Sequence, residues 1–284
     1  MPERPDLEYV VPILSERLVG RGVASAEALN PVVMRVAVLG DGPSQLLGAS
    51  VEAVTRRAHF VVFTLSGELD LVVHPMLAGR FELQEGSARR RKDTAFVLGI
   101  GDGQELRYRD DVQMGKVYIV PRVDADRVIP GFASVGIDVL SRAFTFKAFS
   151  ALARQRRDQV KVFLMDKSAL DALGNAYADE VLFEAGLHPK ARVRELSEEQ
   201  LEGLHKAIKA VLRQARDTIA RRQPELSEKV RDFLKVRNRK GQPCPRCGTK
   251  IRAAGVHGHD AFFCPTCQPD VKGRGFVDWR KLKR

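Results

Sequence analysis

Apolar residues recur at helical spacing at the start of the chain and again in its second half, whereas the stretch between them alternates like strands. Leu7, Val10, Val11, Leu14 and Leu18 share one face of a helix over residues 7–20. Short runs rich in Val, Phe and Leu follow at 32–39, 60–65, 69–73, 94–100, 105–108 and 116–120, each predicting a strand. Ser66-Gly67-Glu68 and Gly101-Asp102-Gly103 supply turns between them. The 99–103 stretch is a hairpin turn and not a dinucleotide fingerprint, because a strand follows it instead of a helix. Beyond about residue 138 the spacing predicts helices over 144–153, 164–173 and 176–185. Ser197-Glu198-Glu199-Gln200 is a capping box that opens a long helix reaching about Ala220. Pro224 interrupts, 228–236 reads as a shorter helical piece, and the runs 250–253 and 261–263 suit a β-hairpin.

Composition narrows the class. With 284 residues the chain exceeds one small core, and 44% hydrophobic with 29% charged residues describes an ordinary soluble protein. No apolar run approaches the length of a bilayer-spanning helix, so no membrane partner is expected. The formal charge of +11 points to a polyanion, because Lys and Arg beside phosphates release condensed counterions. Basic residues crowd the last third, in Arg221-Arg222, Arg237-Asn238-Arg239-Lys240 and the tail Arg280-Lys281-Leu282-Lys283-Arg284. The cluster Arg89-Arg90-Arg91-Lys92 reads as a solvated loop.

All four cysteines lie in one C-terminal stretch, Cys244-Pro-Arg-Cys247 and Cys264-Pro-Thr-Cys267. Two CxxC knuckles at this separation can bring four thiolates to the corners of a tetrahedron, which suits Zn²⁺. Two disulfides, or four unrelated buried thiols, are the rival readings. With no secretory leader visible and a strongly basic surround, one structural zinc per chain and an intracellular, cytoplasmic location are expected.

Four separated stretches resemble the formamidopyrimidine-DNA glycosylase / endonuclease VIII family. They are the start Met1-Pro2-Glu3-Arg4-Pro5-Asp6-Leu7-Glu8, the segment from Asp166 through Leu173-Gly174-Asn175-Ala176-Tyr177 to His188-Pro189, the approach 237–248 to the first knuckle, and Phe263-Cys264-Pro-Thr-Cys267-Gln268. The resemblance implies an α+β multidomain chain. Its parts would be an N-terminal β-sandwich with a leading helix (1–133), a helical helix–two-turn–helix domain (134–236) and a C-terminal β-hairpin zinc finger with a basic tail (237–284). It implies a monomeric base-excision repair glycosylase with abasic-site lyase activity on damaged double-stranded DNA.

In that reading Pro2, freed of Met1, is the amine nucleophile. An α-amino group ionises near neutrality, so an appreciable fraction is uncharged and able to attack. Glu3 is the proton-transfer partner and Asp6 a supporting carboxylate. His74, Lys161 and Asn175 resemble phosphate-side residues; for each a structural alternative stands, in packing for His74, surface charge for Lys161 and helix capping for Asn175. A glycosylase must evert its nucleotide from the stack. Leu77, Gln113 and Met114 stand where the family carries the Met, Arg and Phe that fill the resulting hole. His59 replaces a family lysine and His259 a family arginine, so two permanent cations become titratable ones. These departures motivate an alternative from another class, a protein that binds damaged or abasic DNA with little or no catalysis. A zinc-ribbon RNA binder is a third reading, disfavoured by the Pro2-Glu3 start and the helical signature.

Overall fold

The computed structural model describes residues 2–171 and 173–270. The basic tail at 280–284 therefore lies outside the described residues. The chain divides into two compact units, one of residues 1–136 with 213–230, the other of residues 137–212 with the chain from 231 onward.

The first unit begins with α1 (Arg4–Leu18), followed by the strands β1 (Val23–Ala28), β2 (Met34–Val36), β3 (Val51–Arg57), β4 (Phe60–Leu65), β5 (Leu69–His74), β6 (Arg80–Glu85), β7 (Thr94–Ile100), β8 (Gln104–Arg109) and β9 (Lys116–Pro121). They form a five-stranded sheet in the order β2-β9-β5-β4-β3 and a four-stranded sheet in the order β1-β7-β8-β6. All neighbours are antiparallel except β2 and β9. The two-residue period of a strand explains the run 60–65: Val61, Phe63 and Leu65 enter the core with α1, while Phe60 and Val62 pack on the opposite face. There they meet Ala125, Ile129 and Phe132 around the short helix α2 (Ala125–Val128). A strand buried on both faces carries no polar alternation, which is why residues 60–63 are apolar without a break and Thr64 is the one polar residue of the strand.

The four-stranded sheet contrasts with it. Leu106 and Tyr108 of β8 point into the core, whereas the intervening Glu105, Arg107 and Arg109 form a buried ion network on the outer face. Arg107 pairs with Glu105 at 2.7 Å, Arg109 with Asp93 at 2.7 Å, and Arg90 with Glu105 at 2.7 Å and Glu27 at 2.6 Å. Arg107 also donates to the carbonyls of Glu85 and Ala88. The loop of the Arg89–Lys92 cluster is thus fastened through Arg90, while Arg89, Arg91 and Lys92 stay exposed.

The second unit holds the strand β10 (Ile137–Asp138), α3 (Phe146–Arg154), α4 (Val160–Met165), β11 (Leu170–Asp171), α5 (Asn175–Glu184), the start of α6 (Glu198–Arg222), and the hairpin strands β12 (Arg252–Val256) and β13 (His259–Phe263). The expected box at Ser197 forms, with its backbone N–H donated to Gln200 and its hydroxyl accepting from the Gln200 N–H. Two expected helices are corrected. That over 164–173 is cut after Met165: the Asp166 side chain accepts from the N–H and hydroxyl of Ser168, and β11 then pairs in parallel with β10. The helical piece at 228–236 does not form, because the N–H groups of Lys235, Val236 and Arg237 are donated to the Glu180 carboxylate instead of to carbonyls four residues back. The strand at 32–39 shrinks to β2, since Pro31 sits in a 3₁₀ turn capped by Asn30. β1, β3 and β6 were not expected.

Candidate active site and nucleic-acid interface

Register gathers the sandwich residues of interest at one end of the five-stranded sheet. His74, the last residue of β5, pairs with Lys116, the first of β9. The loop after β5 (75–79) and the loop before β9 (110–115) therefore leave the sheet side by side. His59 lies in the two-residue turn between β3 and β4, and its ring is 4.2 Å from that of His74 and 4.3 Å from Phe60. Glu8, one turn into α1, faces Arg4 at 2.8 Å and Arg56 of β3 at 3.8 Å, bringing the start of α1 to the same end.

Pro2 and Glu3 are both buried. Glu3 is the residue before the first helical turn, and its N–H donates to Asp6 Oδ2 at 2.7 Å. Its carbonyl accepts from the N–H groups of Asp6 and Leu7. Asp6 thus meets a backbone donor at the helix start, favourably placed against the positive end of the macrodipole. The geometry fixes the backbone beside Pro2.

Leu77, Met114 and Val112 expose 54, 40 and 51% of their surface, an unusual concentration of apolar tips on two adjoining loops. Met76 and Gln113 hold left-handed backbones, with φ of +46° and +58°. For side chains of this size each such residue costs about 1–3 kcal/mol and persists only where its surroundings over-determine it. Asp110, 2% exposed, does so for the second loop: Oδ1 accepts from the N–H groups of Val112 and Gln113, and Oδ2 from that of Gly115 at 2.6 Å. Neither Asp110 nor Tyr108 was singled out in the sequence; an Asp three residues before a tip residue is the available signal for such a turn.

In the second unit, the four cysteines are free thiols whose Sγ atoms all lie within 4.8 Å of one another. Cys247 and Cys264 are 3.5 Å apart, and Cys244 and Cys267 3.9 Å. A tetrahedron of about 2.3 Å Zn–S bonds requires sulfurs about 3.8 Å apart, so the set fits zinc and no disulfide. Backbone N–H groups of Arg246 and Cys267 point at Cys244 and Cys264 Sγ, each 3.4 Å away, and offset thiolate charge. The hairpin above turns through His257-Gly258, both at positive φ, as a two-residue loop requires. His259 begins β13 and is exposed.

Lys161 is corrected as a surface charge: its side chain is 0% exposed. It pairs with the buried Asp179 and donates to the Asp260 carbonyl in the hairpin at 2.7 Å. Arg237 repeats the pattern, meeting Asp179 at 2.9 Å and the same carbonyl at 3.2 Å. Burial pushes the Asp179 carboxyl up, opposed by both cations, and burial likewise raises Glu180 despite its three N–H donors. Asn175 is the first residue of α5, one beyond the cap position held by Gly174, and its Oδ1 is enclosed without a hydrogen-bond partner among the described residues.

A two-sheet unit with a leading helix, a helical stretch and a four-cysteine hairpin thus follow one another along the chain. Three family models match: "Formamidopyrimidine-DNA glycosylase N-terminal domain" over residues 1–117, "Formamidopyrimidine-DNA glycosylase H2TH domain" over 135–223 and "Zinc finger found in FPG and IleRS" over 241–269. The formamidopyrimidine-DNA glycosylase of Pelotomaculum thermopropionicum is 31% identical, covering 94% of this chain and 99% of its own. That of Symbiobacterium thermophilum is 33% identical, covering 96% and 91%. A complex of Lactococcus lactis Fpg with abasic-site DNA matches at TM-score 0.84 and 27% identity, covering 94% of this chain and all of that one. Thermus thermophilus MutM (Fpg) matches at 0.82 and 29%, covering 94% and 98%. The chain belongs to the formamidopyrimidine-DNA glycosylase family. Among its described residues no helix is long and apolar enough to cross a membrane.

Proposed function

We propose that this chain removes damaged bases from duplex DNA and then cuts the strand, with Pro2 as nucleophile. The Pro2 amine attacks C1′; the N–C1′ bond forms, the glycosidic bond breaks and the base departs with a proton. Glu3 protonates the sugar ring oxygen, the ring opens, and an iminium joins Pro2 to C1′. The iminium acidifies the C2′ proton, whose removal expels the 3′ phosphate. His59, His74, Asn175 and His259 would hold phosphates, while Leu77, Gln113 and Met114 would fill the space of the everted nucleotide. The finger's zinc, held by Cys244, Cys247, Cys264 and Cys267, stabilises the hairpin and takes no part in the chemistry.

The observation that carries this reading is the fixed, buried Pro2-Glu3 start at the same end of the sandwich as the two histidines and the apolar loops. The Lactococcus lactis relative was solved with abasic-site DNA, which makes an abasic duplex the natural probe. Borohydride should reduce the iminium and leave the chain covalently attached to such DNA. Pro2→Gly should keep binding and lower trapping at least tenfold. Binding without trapping in the unsubstituted protein, matured to a free Pro2, would instead make the chain a binder of damaged sites.

A further inference from the structure

The two apolar loops both pass close against one buried hydroxyl. Tyr108, at the end of β8, is 1% exposed, and its hydroxyl faces Asp110 Oδ2 at 3.5 Å. Glycine is required where both loops pass it: a Cβ on Gly79 would lie 2.4 Å from that oxygen, and one on Gly115 1.8 Å. Burial, and then the charge of Asp110, raise the Tyr108 phenol far above its ordinary value, so it remains a proton donor to that carboxylate. Asp110 passes the constraint on through the N–H groups of Val112, Gln113 and Gly115. On the outside, Arg80 of β6 donates to the Ala78 carbonyl at 3.2 Å and to Asp111 at 3.5 Å, bridging the same two loops. Lys229 donates to the Leu77 carbonyl at 3.2 Å.

We propose that Tyr108 and Asp110 are positioning residues that make the Leu77 loop and the Gln113-Met114 loop enter the duplex as one rigid wedge. The inference rests on the proposed DNA-repair reading and deepens it. The clamp touches neither DNA nor Pro2; it acts by holding the left-handed backbone at Gln113 through Asp110 and by packing the Tyr108 hydroxyl against Gly79 at the foot of the Leu77 loop. Without it the loops relax toward ordinary backbone angles, and the cost of ordering them falls on the DNA-bound state. The effect should appear only where a partner strand must be held apart from the vacated position. A single-stranded abasic oligonucleotide has no orphaned base, so it does not call on the wedge.

The test compares Tyr108→Phe and Asp110→Asn with the unsubstituted protein in two assays. In the first, borohydride trapping is measured on an abasic site in duplex and in single-stranded form. The duplex-to-single-strand ratio should fall at least fivefold in both variants; a smaller fall, or equal losses on both substrates, overturns the clamp. The second assay places 2-aminopurine opposite a tetrahydrofuran site, which the chain cannot cleave. Wedge insertion unstacks the probe and raises its fluorescence, and both variants should lose most of that rise. Variants that brighten the probe as fully as the unsubstituted protein overturn the proposal. This second assay needs no covalent step, so it still decides the clamp if the unsubstituted protein fails to trap and the Pro2 chemistry is wrong. Should Tyr108→Phe unfold the sandwich, Asp110→Asn carries the comparison, since it keeps one acceptor while facing the Gly115 N–H with an amide.

Discussion

The hairpin tip of the finger and the paired loops of the sandwich are both small, exposed and stiff, yet they are stiffened by opposite means. The loops stand on a large core: Tyr108 belongs to the same buried cluster as α1 and both sheets, and a hydroxyl and a carboxylate suffice to hold strained backbone above it. The hairpin has no such foundation. Among the described residues its cluster is small: Phe183, Val236 and Ile251 pack with Cys244 and Cys264, Phe262 and Cys267 lie against them, and four thiolates on zinc make up for a core of that size. Buried ion pairs then tie the hairpin to the helices, through Lys161, Asp179 and Arg237.

The largest effect should come from breaking the metal site. Zinc binding to such modules is worth about 10–16 kcal/mol, so Cys267→Ser should lose the ion and weaken binding to abasic duplex by at least about 100-fold. Metal analysis alongside a binding titration checks both; normal zinc with normal affinity would contradict the comparison. Next comes the tie. Asp179→Asn leaves Lys161 buried without its carboxylate, and loss of one partner of such a pair costs about 3–5 kcal/mol. A denaturant titration that registers less than about 1 kcal/mol would mean the pair is dispensable.

The smallest effect belongs to the sandwich and is set by protons. The Arg109 guanidinium hydrogen-bonds the Asp93 carboxyl and lowers it below its ordinary 3.8, so folding favours the ionised form. That stabilisation is complete above about pH 4 and disappears as pH falls through the lowered value. Asp93→Asn should therefore cost about 1 kcal/mol at neutral pH, and the difference from the unsubstituted protein should close on acidification. A gap that stays constant from pH 7 to the acid limb of the unfolding curve would show that the ion pair contributes nothing there.

Much of this was legible in residue order. The knuckles declare the zinc site because four sulfurs at that spacing have one common use, and the apolar run 60–65 declares a strand because both its faces are covered. The chain from 228 to 236 misled because its helical spacing is overridden by a carboxylate more than fifty residues earlier in sequence. Lys161 misled because a buried lysine is legible only with its partner, and Asp179 lies eighteen residues on. Tyr108 was hidden for a different reason. Its aromatic body reads as core, and only the close passage of Gly79 and Gly115 shows what its hydroxyl holds.

A freed Pro2 amine should bond to the sugar of a damaged nucleotide. Borohydride-trapped complex made with an abasic duplex can be digested and its DNA-bearing peptide mapped by mass spectrometry. The DNA remnant should reside on Pro2, and Pro2→Gly should lower the yield. A remnant attached to a lysine side chain, with Pro2 unmodified, would contradict that assignment.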